Sequence, residues 1–141
     1  MNERYSIDGV DEIAQKLLTE IATGHVATVV GLSGDLGAGK TTLVQSIART
    51  LGVDTPVVSP TFVIAKFYPA QHSLWDTLVH IDAYRIDDVS ELDPIGWDTL
   101  IATPRTLVVV EWPERIEQRL PSTTQRFTIE HNDTERHITT L

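Results

Sequence analysis

Three features of the sequence predict a three-layer α/β fold with a mainly parallel central sheet and antiparallel edge strands. An apolar, β-branched run, Val26-Ala27-Thr28-Val29-Val30-Gly31-Leu32, leads straight into a glycine-rich stretch and then a helical pattern, the order of a strand–loop–helix unit. A second run, Thr106-Leu107-Val108-Val109-Val110, is apolar without alternation, as a strand covered on both faces must be, and so belongs in the middle of the sheet. Residues 125–131 and 136–141 alternate apolar and polar, the pattern of a hairpin with one open face, and they turn at Asn132-Asp133.

The other elements follow in order. Val10, Ile13, Leu17, Leu18 and Ile21 recur at steps of three and four, predicting a helix over 7–23 with Ser6 or Asp8 as its cap and Gly24 as its stop. Leu43, Val44, Ile47 and Leu51 mark a second helix, ended by Gly52. Two prolines in 54–60 make a loop. Residues 62–68 are β-rich and end at Pro69; residues 75–81 are also strand-like, and the pair reads as an antiparallel hairpin. Leu92, Ile95, Leu100 and Ile101 indicate a short helix within 87–102, its limits blurred by Pro94 and Gly96. A helical turn over 114–120 stops before Pro121.

Composition bounds the function. The 141 residues fit one domain, taken as 1–141. Cysteine is absent, which excludes disulfides, thiolate nucleophiles and cysteine-ligated metals. No basic start with an apolar stretch suggests a secretory signal, and no run approaches 18 apolar residues, so a cytoplasmic protein that does not span a membrane is expected. Acidic residues number 20 against 11 basic ones, a net charge of −9. Polyphosphate backbones repel such a surface, so tight direct binding of nucleic acid is not expected.

The chemistry concentrates in Gly34-Asp35-Leu36-Gly37-Ala38-Gly39-Lys40-Thr41-Thr42, which reads Gly, four residues, Gly-Lys-Thr. This is a complete phosphate-binding loop, or P-loop, with a strand before it and a helix after it, so the expected architecture is that of a P-loop NTPase. The glycines let backbone N–H groups turn toward a phosphate, Lys40 supplies a compact charge for β- and γ-phosphates, and Thr41 offers a hydroxyl to Mg²⁺. The helix that starts near Gly39 aims its unpaired N–H groups at the same anion.

Such a site also needs a carboxylate at the end of a buried strand. Glu111 directly follows the apolar run 107–110, and Asp82 follows Leu78-Val79-His80-Ile81. One acid would hold the metal or its water shell and the other would orient water or sense the γ-phosphate; spacing does not assign which. Thr61, after Pro60, is a candidate γ-phosphate sensor in a switch-like segment over 57–64. His80, Asp82 and Tyr84 share a face if the strand continues, though a lone histidine in a strand is most often structural. Arg85 either stabilises transferred charge or pairs with Asp87 or Asp88, and Trp112 covers the site or packs.

Together with Ser59-Pro60-Thr61-Phe62, His80-Ile81-Asp82-Ala83-Tyr84-Arg85 and Glu111-Trp112-Pro113-Glu114-Arg115, this loop resembles the bacterial TsaE (YjeE) family over roughly residues 7–120. Leu92 and Gly96 fit the stretch between the two acid-bearing segments. The resemblance implies a small P-loop ATPase, slow on its own, that serves threonylcarbamoyladenosine synthesis in tRNA. It implies phosphate cradling by Gly37, Ala38, Gly39, Lys40, Thr41 and Thr42, Mg²⁺ held by Thr41 and Glu111, and nucleotide-linked roles for Thr61 and Asp82. It also implies a TsaB–TsaD heterodimer as partner, with tRNA reached only through it. The catalytic set expected is Lys40, Asp82 and Glu111, acting on ATP with Mg²⁺.

Two rivals use the same loop. A small-molecule kinase needs an acceptor pocket and an arginine-rich lid, and no lid insertion is evident. A nucleotide-gated binding module would hydrolyse ATP only incidentally. A GTPase would carry an Asn-Lys-x-Asp segment, which is absent.

Overall fold

The computed structural model describes residues 1–58 and 64–141. Among these residues the chain forms a seven-stranded sheet in the order β1-β7-β6-β2-β5-β4-β3. The strands are β1 (Asn2–Tyr5), β2 (Thr28–Ser33), β3 (Ala65–Pro69), β4 (Thr77–Asp82), β5 (Thr106–Glu111), β6 (Gln125–His131) and β7 (Arg136–Thr140). The inner strands β6, β2, β5 and β4 run parallel, while β3, β7 and β1 add on antiparallel. This is the expected mixture of a parallel centre and antiparallel edges, with β5 between β2 and β4.

Alternation on the strands sorts the core into two layers. Leu107 and Val109 of β5 join a cluster with α1 (Val10–Glu20) and α2 (Lys40–Thr50), through Leu17, Leu43, Val44 and Ile47. Val108 and Val110 face the other side, where Leu92, Trp97, Leu100 and Ile116 cover them. Every residue of β5 is buried, which is why its sequence shows no polar alternation. Each Leu or Ile fully buried this way stabilises the fold by about 1.5–3 kcal/mol before the entropy of ordering it.

Several boundaries differ from the sequence expectation, each for a local reason. The first helix is α-helical only over 10–20, entered through a 3-10 turn at Ile7–Gly9, and Ile21 is already extended. Neither Ser6 nor Asp8 makes a side-chain cap at that start. The segment 87–102 is two pieces: a 3-10 helix at Val89–Ile95 and α3 at Trp97–Ala102, split by Gly96 in the left-handed region. Asp88 and Glu91 close a capping box on the first piece. Residues Pro113–Arg119 form another 3-10 helix. Arg119 ties these covers together, donating to Val89 O at 3.2 Å and Asp93 at 3.0 Å, while its own carbonyl accepts from Trp97 Nε1 at 3.0 Å. The edge strand β1 pairs with β7 and is not signalled by any alternation of its own.

The register sets the position of the site. Leu32 of β2 and Asp82 of β4 both lie beside Glu111 of β5, so three parallel strands end on one rim. The helix α2 starts from that same rim. No helix among the described residues is long and apolar enough to cross a membrane.

Candidate functional site

The loop 34–39 carries β2 into α2. Gly34 has φ +151°, and a Cβ there would stand 2.4 Å from Ile129 O, so the neighbouring strand admits only glycine. Gly39 caps α2 at φ +102°. A Cβ on it would meet Arg136 Nε at 2.5 Å. The loop is thus pressed onto both strands of the C-terminal hairpin, β6 and β7. Its remaining turn closes with Ala38 N donating to Asp35 O at 3.0 Å.

Lys40 is the first residue of α2 and is only 4% exposed. Its ammonium folds back on its own loop, donating to Gly34 O at 2.5 Å and to Asp35 O at 2.8 Å. It also lies 4.4 Å over the Trp112 ring. Burial pushes its pKa below the usual lysine value, against the pull of Glu111, Asp82, Glu114 and Asp35. A buried cation whose hydrogen bonds among the described residues go to two neutral carbonyls is a favourable host for an anion.

Thr41, one residue on, donates its hydroxyl to the Glu111 carboxylate, with Oγ1 at 3.1 Å from Oε1 and 3.0 Å from Oε2. Glu111 is 3% exposed. The residue after it, Trp112, sits at φ 62° and ψ 51°. This left-handed step costs about 1–3 kcal/mol for a residue with a Cβ. It reverses the chain at the strand end, with Trp112 N donating to Leu32 O at 3.2 Å, and the Trp112 ring lies 5.0 Å from Tyr84.

Asp82 ends β4 beside Glu111. Its Oδ1 accepts from Tyr84 N at 3.0 Å. Burial raises its pKa above the usual carboxylate value and the Glu111 charge adds to that, while the Tyr84 amide, His80 and Lys40 act in the other direction.

The structure therefore gathers Lys40, Thr41, Asp82 and Glu111 on one rim. Gly37, Ala38 and Gly39 form the loop, and Thr42 lies in the first turn of α2. Thr61 lies outside the described residues. No group of three His, Cys, Asp or Glu that would hold a metal by itself occurs among the described residues. A P-loop Mg²⁺ does not need one, because phosphate oxygens and waters supply most of its ligands and the protein adds a hydroxyl and a carboxylate. The Thr41–Glu111 pair meets that requirement.

Three neighbours of the site make contacts that the motifs do not give. His80 Nε2 lies 2.5 Å from Glu111 Oε2. Glu114 accepts from Ser33 Oγ at 2.9 Å, at the mouth of the loop. Arg136, on β7, lies against Gly39. The first was hinted at by the shared strand face of His80 and Asp82. The other two depend on chain segments far apart in sequence and carry no local signal.

A family model described as threonylcarbamoyl adenosine biosynthesis protein TsaE matches residues 5–138. The chain belongs to the TsaE family. Similar relatives of this TsaE-family chain carry the name tRNA threonylcarbamoyladenosine biosynthesis protein TsaE. One from Streptomyces coelicolor is 38% identical over 136 residues, covering 91% of this chain and 86% of the relative. One from Mycobacterium tuberculosis is 43% identical over 98 residues, which is 65% of this chain and 57% of the relative. The match thus spans a little over half the length of that Mycobacterium tuberculosis protein. The crystal structure of Bacillus subtilis YdiB superposes with a TM-score of 0.72 at 32% identity, covering 99% of this chain and 83% of the other. That likeness accords with the P-loop NTPase fold.

Proposed function

We propose that this chain is a P-loop ATPase that binds ATP with Mg²⁺ on the rim of β2, β4 and β5 and hydrolyses it in support of threonylcarbamoyladenosine synthesis in tRNA. The observation that carries the chemistry is the Thr41–Glu111 contact at 3.0–3.1 Å beside a buried Lys40. The names carried by the relatives support the process.

The residues divide the work as follows. Mg²⁺, when bound, would neutralise charge across the β- and γ-phosphate oxygens, and Thr41 and Glu111 would hold it. Lys40 would exchange the Gly34 and Asp35 carbonyls for phosphate oxygens, gaining an ionic partner for two neutral ones. The amides of Gly37, Ala38, Gly39, Lys40, Thr41 and Thr42 would cradle the phosphates at the start of α2. Asp82 keeps Oδ1 on the Tyr84 amide, which leaves Oδ2 to orient water and take its proton. Its raised pKa makes it a stronger base than an exposed carboxylate. Thr61 is assigned as the γ-phosphate sensor.

By the same reading residues 1–141 are one cytoplasmic domain, and its partner is a TsaB–TsaD heterodimer that alone touches tRNA. The net charge of −9 supports that division, since an acidic chain is a poor direct ligand for RNA.

Phosphate release from protein freed of host ATPases tests the site. Lys40→Ala and Glu111→Ala should both abolish it. Normal turnover by either variant contradicts the assignment. ATP-dependent capture of purified TsaB–TsaD tests the partner, and equal capture without nucleotide contradicts a nucleotide-gated contact.

A further inference from the structure

The two oxygens of Glu111 are not in equivalent surroundings. Both accept from Thr41, but only Oε2 also meets His80, whose Nε2 is 2.5 Å away. His80 is fully buried. Its other ring nitrogen, Nδ1, is buried too and has no hydrogen-bond partner. Among the described residues the ring therefore has one hydrogen-bonding contact, and that contact is Glu111.

This arrangement selects a tautomer. With the proton on Nε2, the imidazole donates to the carboxylate and Nδ1 is left as a bare lone pair. With the proton on Nδ1, a buried N–H would lack an acceptor and two lone pairs would face each other across 2.5 Å. The first is the lower in energy. The position also explains why the residue is polar at all. His80 lies on the same strand face as Leu78, which joins the apolar cluster under α1 and α2. An aliphatic side chain would fill that space without burying an orphan nitrogen.

We propose that His80 is a positioning residue for Glu111: it pins Oε2 from the sheet side, so that Oε1 is presented with Thr41 Oγ1 to the divalent cation of the bound nucleotide. The inference rests on Glu111 being a ligand of that cation. Held by the Thr41 hydroxyl alone, the carboxylate would keep freedom about its last torsion; a second, rigid, buried N–H donor on one oxygen removes that freedom. Hydrogen bonds behind a ligand of this kind hold its orientation, and losing one typically costs 10–100-fold in metal affinity.

The test measures Mn²⁺ binding to the ADP complex by the loss of its free-ion EPR signal, alongside nucleotide affinity in EDTA. His80→Leu removes the donor at similar size. In His80→Gln the longer amide reaches the Nε2 position, whereas in His80→Asn it reaches only that of Nδ1. The expectation is about 10–100-fold weaker Mn²⁺ binding for His80→Leu and His80→Asn, recovery toward wild type in His80→Gln, and unchanged nucleotide affinity in EDTA. Wild-type Mn²⁺ affinity in His80→Leu overturns the inference, provided that Glu111→Ala has lost it. An equal loss in all three His80 variants also overturns it, because packing alone would then explain the effect. Should His80→Leu fail to fold, the Gln and Asn pair decides. Wild-type Mn²⁺ affinity in Glu111→Ala instead refutes the underlying view of Glu111, independently of His80.

Discussion

Strand β5 is flanked by two residues in the left-handed region, Arg105 at φ 58° before it and Trp112 at φ 62° after it. Charges gather at both ends. At the first, the Arg105 guanidinium grips both oxygens of Asp76, at 2.8 and 2.9 Å, and also donates to Ser73 O. Both side chains are largely exposed. The Arg105 hydrogen bond holds the Asp76 carboxyl below the usual range. At the second end, Lys40 and Glu111 lie out of solvent and Asp82 is part-buried, with Lys40 pushed down and Asp82 pushed up. The first end is a finished ion pair, screened by water. The second holds an ammonium and a carboxylate, Lys40 and Asp82, that burial pushes toward their neutral forms. In open α/β sheets ligands sit beyond the carboxyl ends of the strands, and the unequal solvation of these two rims is the physical form of that rule here.

The largest expected effect comes from emptying the second rim of its cation. Lys40→Ala should take ATP hydrolysis below detection, a loss of at least about 10²–10³-fold, the usual loss when a preorganised charge stabiliser is removed, as read by phosphate release. The same substitution made at the other rim, Arg105→Ala, should leave turnover at the wild-type value. Equal losses from both would erase the contrast.

Asp82→Asn should separate activity from stability. It keeps the acceptor for Tyr84 N and removes the disfavoured charge. Turnover should fall by about 100-fold, the low end for a positioned acid–base group. The melting temperature of the nucleotide-free protein should rise, because the charge that burial disfavours is gone. A variant both inactive and less stable would mean that the carboxylate is structural.

The two rims should also titrate with opposite sign. The folded pKa of Asp82 is raised, so its contribution to stability is present below the ordinary carboxylate pKa and is lost as pH rises through the folded value. The folded pKa of Asp76 is lowered, so its contribution is present above the ordinary value and is lost as pH falls through the folded one. Urea midpoints compared with wild type should therefore show Asp82→Asn more stable and Asp76→Asn less stable at neutral pH, both converging on wild type in acid. Curves of the same sign would show that the environments are not opposed. The smallest effect is that of Arg105→Ala on the melting temperature, which should be a fraction of the Asp82→Asn shift because solvent screens the pair.

Much of this architecture is legible in the chain because the signals are local. Residues 26–51 announce a strand, a glycine loop and a helix by composition and period alone. The unbroken apolar run of β5 places it inside the sheet, and with it Glu111 at the strand end. The hairpins around Asn132 and before Thr77 follow from alternation and turn residues. What sequence spacing does not hold is the third dimension between distant segments. Strand β1, four residues long, exists only because β7 offers it an edge. The Arg136 side chain lies against Gly39, from the far end of the sequence. The contact of His80 with Glu111 depends on the parallel register of β4 and β5, in which His80 stands opposite Val109 rather than Glu111. The segment 87–102 is two helical pieces rather than one, because apolar spacing alone does not distinguish an α-helix from a 3-10 helix broken by a left-handed glycine.

The central claim is that the second rim receives a nucleoside triphosphate with its cation. It is tested most directly by equilibrium titration of a fluorescent ATP analogue into wild type and Lys40→Ala, each in Mg²⁺ and in EDTA. The account predicts saturable binding by wild type, tighter in Mg²⁺ than in EDTA, and loss of binding in Lys40→Ala. Absence of saturation in wild type, or identical curves for the two proteins, contradicts it.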